Sequence, residues 1–200
     1  MTREEWRAEA MKQFGGAVAE ARKRAGLSQQ ELAERIGSSR NAIQNLEAMK
    51  GRTSSFNVLD LIEIAAAVGV PPLQLLYPEL PDGPVEVLPD IYCTSLQAAQ
   101  WFSGEVKSDQ LPASLPALDT SRTLQARKLQ DLREEFELEL RFISMTHGDG
   151  PWSRQRTEKE LQEARAAARA DATRKLEEVR NLEEQMRRDG FTVTSTDAEG

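Results

Sequence analysis

The chain of 200 residues has a single cysteine, Cys93, so no intramolecular disulfide can form. Beside Tyr92 it reads as a small buried residue. There is also a single histidine, His147, set in a glycine-rich turn. A zinc site needs about four Cys, His or carboxylate ligands, and no such cluster occurs. A catalytic triad would have to recruit that one histidine, which has no nucleophile motif near it. Glycine-rich phosphate loops of the P-loop or dinucleotide type are missing as well, so the sequence points to no enzyme and no cofactor. No apolar run approaches the ~20 residues that cross a bilayer, and MTREEWRAEA is not a signal peptide. The expectation is a cytoplasmic chain of one or two domains with no membrane contact.

Positive charge is scarce overall, with 26 Lys and Arg against 33 Asp and Glu and a net of −7. The deficit is unevenly spread. Residues 1–78 hold ten basic against nine acidic side chains, residues 79–118 one against six, and residues 119–190 fifteen against sixteen. Arg22, Lys23, Arg24, Arg35, Arg40, Lys50 and Arg52 crowd into one part of the N-terminal third. Because fields are screened within ~10 Å at ordinary salt, an acidic chain can still turn a basic face to phosphate.

The stretch LSQQELAERIGSSRNAIQNLE, Leu27 to Glu47, contains two short helical patterns around a break. Ser28 and Glu31 have capping-box spacing, and Leu32, Ala33 and Ile36 share one face of the helix they start. Gly37 can adopt the left-handed conformation that ends it. Ser38 or Ser39 then caps a second helix with Ala42, Ile43 and Leu46 as its apolar positions. Its other face carries Arg40, Asn41, Gln44 and Asn45. Any helical bundle has caps and a polar outer face, but a solvated helix more often carries Glu–Lys pairs. Amide and guanidinium groups clustered on about one and a half turns suit the reading of base edges in a DNA major groove.

The flanking sequence predicts more helix. Thr2 and Glu5 have capping-box spacing, and Trp6, Ala10, Phe14 and Val18 recur at helical spacing. This helix should run from about residue 3 into the twenties, weakened or bent at Gly15–Gly16, and end at Gly26. Ser54 or Ser55 should cap FNVLDLIEIAAAVGV, which ends at Gly69, and Pro71–Pro72 should open one more short helix.

With Arg22, Gly26-Leu27-Ser28-Gln29, Leu32-Ala33, Gly37, Ile43, Leu46-Glu47, Ile64-Ala65 and Val68-Gly69-Val70 in place, residues 14–78 resemble the lambda-repressor-like (Cro/CI, XRE-type) helix-turn-helix domains. The predicted helices make five in a compact all-α domain over residues 1–78, and the resemblance implies that this domain binds DNA. It also implies Arg40, Asn41 and Gln44 as base-reading residues, with Gln29, Ser39, Asn45, Lys50 and Arg52 on the DNA backbone. Arg22 and Glu47 are implied as a structural pair holding the reading helix to the bundle. The loop after Glu47 is about three residues longer than usual for the family, and its glycine is displaced to Gly51.

Residues 79–118 are rich in proline and acid and read as a linker with one short helix, TSLQAAQWFSGE, capped by Thr94 or Ser95. Its Trp101–Phe102 rings should dock on a neighbouring helix. Residues 119–190 then read as a long helical hairpin or coiled coil. Leu129, Leu132, Phe136, Leu140 and Ile143 form one stripe. A second helix, capped by Ser153 or Thr157, carries Leu161, Ala164, Ala168, Ala172, Leu176, Val179 and Met186. Residues 191–200 read as a frayed, flexible tail.

The fold expected is therefore all-α. The function expected is a sequence-specific transcriptional regulator, read as a repressor, with a double-stranded DNA operator as partner and a homodimer built by residues 119–190. The alternative is an antitoxin-like interaction protein whose C-terminal helices bind another protein.

Overall fold

The computed structural model describes residues 1–48, 57–146 and 157–196. Among these the chain is mostly helical, with eight α-helices and one two-stranded sheet. It divides into two compact units, Met1–Asp119 and a second that begins at Thr120.

In the first unit, α1 (Arg3–Arg24) opens on a complete Thr2–Glu5 capping box and continues through Gly15–Gly16. Two glycines cost a helix roughly 1 kcal/mol each relative to alanine. Here Phe14, Ala17, Val18 and Ala21 are buried on both sides of them, and tertiary packing carries the helix through. Helix α2 (Gln29–Arg35) starts on the Ser28–Glu31 box. Gly37 takes φ +63°, and α3 (Arg40–Ala48) follows. Helix α4 (Val58–Val68) is capped by Asn57, in a box with Asp60. The capping residue expected at Ser54 or Ser55 lies outside the described residues. Gly69 ends α4 at φ +73°, and α5 (Pro72–Leu76) begins with a proline in its first turn. One core gathers side chains from all five helices, with Val18, Leu32, Ile43, Ile64 and Leu75 at 2% exposure or less.

Residues 79–118 correct the linker expectation. Strands β1 (Pro84–Leu88) and β2 (Ile91–Thr94) pair antiparallel, Val85 opposite Cys93 and Glu86 opposite Tyr92. Asp90, at φ +62°, turns the hairpin, and its amide donates to Glu86 Oε1 at 2.6 Å. Helix α6 (Ser95–Ser103) follows on a Thr94–Gln97 box. Val85 and Val87 point inward from alternate positions and bury with Tyr77, Ala98 and Leu115 in a second core. Trp101 packs there and donates to Pro116 O at 2.9 Å, while Phe102 stays 55% exposed. Leu76 of α5 borders both cores, and Trp6 of α1 donates to Glu86 O at 2.9 Å. The first unit accordingly extends past residue 78 to Asp119.

In the second unit, α7 (Ser121–Thr146) and α8 (Glu158–Arg188) lie antiparallel. Thr157 caps α8 in a box with Glu160; Ser153, the other candidate, lies outside the described residues. Leu129, Val179 and Met186 form the buried seam, with Leu132 and Leu182 beside it. Lys175 bridges to Glu135 at 3.2 Å and Glu139 at 3.5 Å. Arg165 donates two hydrogen bonds to Thr146 O, closing the last turn of α7. The tail expectation fails for residues 191–196. Phe191 and Val193 pack against the seam, and Thr196 donates to the buried Glu183.

Candidate nucleic-acid interface

Helix α3 is anchored by Ile43, which is 2% exposed, with Leu46 half-buried beside it. Arg40, Asn41, Gln44 and Asn45 are all exposed. The sequence pattern is thus realised as a helix with one apolar anchor line and a polar face open to solvent. Ala42, grouped with Ile43 and Leu46 as an apolar position, is also exposed and adds a methyl group to the helix surface. A small apolar group there suits contact with a thymine methyl. Its proximity to Ile43 and Leu46 in the apolar pattern concealed this. Ser39 is exposed, and its Oγ accepts the Ala42 amide at 3.1 Å, so it caps α3. Lys50 and Arg52 lie outside the described residues.

Behind α3, Arg22 and Glu47 meet. Arg22 Nε donates to Glu47 Oε1 at 2.6 Å and Nη2 to Oε2 at 2.9 Å, a bidentate arrangement. The two side chains are only 10% and 7% exposed. Arg22 Nη1 also donates to Leu27 O at 2.6 Å, in the loop between α1 and α2. Burial pushes the Glu47 carboxyl up, but hydrogen bonds from Arg22 and Gln29 and the Arg22 charge outweigh it and hold the group below its ordinary value. The Glu47 hydrogen bond raises Arg22 in return, against its burial.

Gln29 joins this clamp. Its Nε2 donates to Glu47 Oε2 at 2.8 Å, and the side chain is half-buried at the start of α2. Sequence spacing alone gave no sign of that third hydrogen bond.

The clamp also thins the basic face. Arg22 is committed inward, and Arg35 donates to Ala67 O at 3.0 Å at the end of α4. Lys23, Arg24, Arg35 and Arg40 are all exposed. Among the described residues no group of acidic, histidine or cysteine side chains could hold a metal ion. Nor is any described helix long and apolar enough to cross a membrane.

The family model described as Helix-turn-helix matches residues 18–75. The segment is a helix-turn-helix domain. Helix-turn-helix domains of this type are DNA-binding regulatory units, and α2, Gly37 and α3 all fall within the matched span. No curated protein shows a significant match to the chain. The helix-turn-helix domain covers under a third of the molecule, and it accounts for neither the β-hairpin nor the α7–α8 pair.

Proposed function

We propose that the protein is a sequence-specific transcriptional repressor that binds an operator as a homodimer. The observation that carries this reading is α3 itself, with Arg40, Asn41 and Gln44 exposed on a helix fixed from behind by Ile43 and the Arg22–Glu47 clamp. A guanidinium and two carboxamides are the groups that make bidentate contacts to guanine and adenine edges. Gln29, Ser39 and Asn45 flank that helix and are assigned to the phosphate backbone, which sets register without reading sequence. Occupying an operator excludes polymerase without any further contact, so repression is the simplest output.

One helix-turn-helix reads about one half-site, and two linked readers reach half-sites roughly 34 Å apart. The α7–α8 pair supports the second copy. Leu138 and Met145 are 63% and 61% exposed on the outward side of α7, where neither belongs to the seam. The same side chains also favour a second reading, an antitoxin-like protein whose helical unit captures another protein.

Selection from a random DNA pool tests the first reading, followed by footprinting of the enriched sequence and sedimentation of the free protein. Enrichment of a two-fold-symmetric site by a dimer is the expected result. No enriched sequence would refute base reading. A monomer protecting a full operator would refute the homodimer and favour the interaction protein.

A further inference from the structure

Helix α8 stops in the ordinary way. Gly190 takes φ +80°, its amide donates to Arg187 O, and the Phe191 amide donates to Met186 O. A helix stop of this kind accounts for one apolar contact, that of Phe191. It leaves the path of the chain from Thr192 to Thr196 unexplained.

Beyond Phe191 the chain has no helix or strand as far as Ser195, with Phe191 and Val193 half-buried and Thr192 and Thr194 exposed between and after them. Its main chain is gripped at three positions. Arg187 Nε donates to Val193 O at 3.3 Å, Arg133 Nη2 donates to Thr194 O, and the Thr196 amide donates to Glu183 Oε1 at 3.2 Å. The Thr196 hydroxyl adds a 2.6 Å hydrogen bond to the same oxygen, and the Arg122 guanidinium sits 4.1 Å from the centre of the Phe191 ring. Main-chain anchoring with alternate side chains in sockets is how proteins bind extended peptides.

Two features of the site belong to the helices and not to that segment. Glu183 is 1% exposed, and a buried carboxylate stripped of its partners is strongly destabilising. Glu183 keeps two: Arg133 at 2.6 Å and Arg187 at 3.0 Å, both supplied by the helices. The buried seam of Leu129, Val179 and Met186 likewise comes from α7 and α8 alone. Emptied, the site retains its charge balance and its floor.

We propose that this end of the α7–α8 pair is a binding site for an extended peptide, which the chain fills in cis with Phe191–Thr196 as a removable plug. The partner is a protein segment presenting an aromatic residue, a β-branched residue two positions on and a threonine three further. Its main chain takes the places of the Val193 and Thr194 carbonyls and the Thr196 amide.

The test uses a dye-labelled synthetic peptide of the sequence GFTVTST and fluorescence anisotropy on full-length protein. The cis segment competes at an effective concentration on the order of millimolar, so the wild-type chain should bind weakly. A full-length chain carrying Val193→Ser and Thr196→Ala keeps the helix stop but loosens the plug, and should bind at least about tenfold more tightly as that competition falls. Adding Arg122→Ala to that chain, which removes the guanidinium over the aromatic ring without touching Glu183, should abolish most of the gain, and a scrambled peptide should not bind. Equal affinity for all three chains, or for the scrambled peptide, overturns the proposal. So does loss of helical circular dichroism in the loosened chain, which would make the segment part of the core. Operator binding is read separately on the same proteins, so failure here leaves the DNA-binding reading untouched.

Discussion

Replacing Glu47 with alanine removes three hydrogen bonds at once, two from Arg22 and one from Gln29. The guanidinium left behind cannot shed its proton, and Leu27 O is its remaining hydrogen-bond acceptor among these contacts. Breaking a buried pair from one side costs about 3–5 kcal/mol, because the surviving charge stays desolvated. For a unit of this size each kcal/mol moves the melting midpoint by about 3–5 °C, so Glu47→Ala should lower it by roughly 9–25 °C. Denaturation followed by tryptophan fluorescence, in a Trp152→Phe background that silences the second unit, reports on this unit through Trp6 and Trp101. The pH dependence gives an independent check. The folded Glu47 carboxyl is held below its ordinary value, so its stabilisation is full above the unfolded value of about 4.3 and fades as pH falls through the folded one. The difference in stability between wild type and variant should therefore shrink on acidification below about pH 4. Substituting both partners with apolar residues, Arg22→Met with Glu47→Leu, should recover much of the loss. A Glu47→Ala midpoint within about 2 °C of wild type would refute the reasoning, since it corresponds to well under 1 kcal/mol.

Arg40→Ala should relax preference at one base position per half-site by about 1–3 kcal/mol, measured by binding to single-base operator variants. Uniform weakening on all variants would reassign Arg40 to the backbone. Gln29→Ala should weaken every DNA sequence alike in the same assay, and a loss confined to some operators would contradict its place on the backbone. Gly16 lies inside α1 with open space where a Cβ would point, so Gly16→Ala should stabilise by about 0.5–1 kcal/mol in chemical denaturation. Destabilisation would mean that α1 bends there after all.

What the sequence disclosed was local. Thr2–Glu5 and Ser28–Glu31 announce their caps within four residues, and Gly37 and Gly69 announce the stops. The polar face of α3 could be read because Ile43 fixes which side is inward. What stayed hidden depends on partners distant in the chain. PVEVL alternates for only five residues between prolines, and its strand exists because Tyr77, Ala98 and Leu115 cover Val85 and Val87. Gln29 reaches Glu47 across 18 positions, and Thr196 reaches Glu183 across 13. No periodicity encodes either contact. Phe191–Thr196 looked like a fraying end because composition cannot reveal three side chains waiting on a neighbouring helix pair.

Helix α5 is only five residues long, yet it is apolar on two sides: Leu75 enters the helical core, Leu73 the hairpin core, and Leu76 touches both. A ruler laid along the family match would cut the chain soon after residue 75. Such a fragment would strip the covering from Leu73, Leu76 and Tyr77 and leave the indole of Trp6 without the Glu86 carbonyl. Greasy surface of that kind is what drives recombinant fragments into inclusion bodies. The smallest piece worth expressing for crystallography with DNA therefore runs from Met1 to Asp119, carrying the hairpin as a fixed part of the reading head.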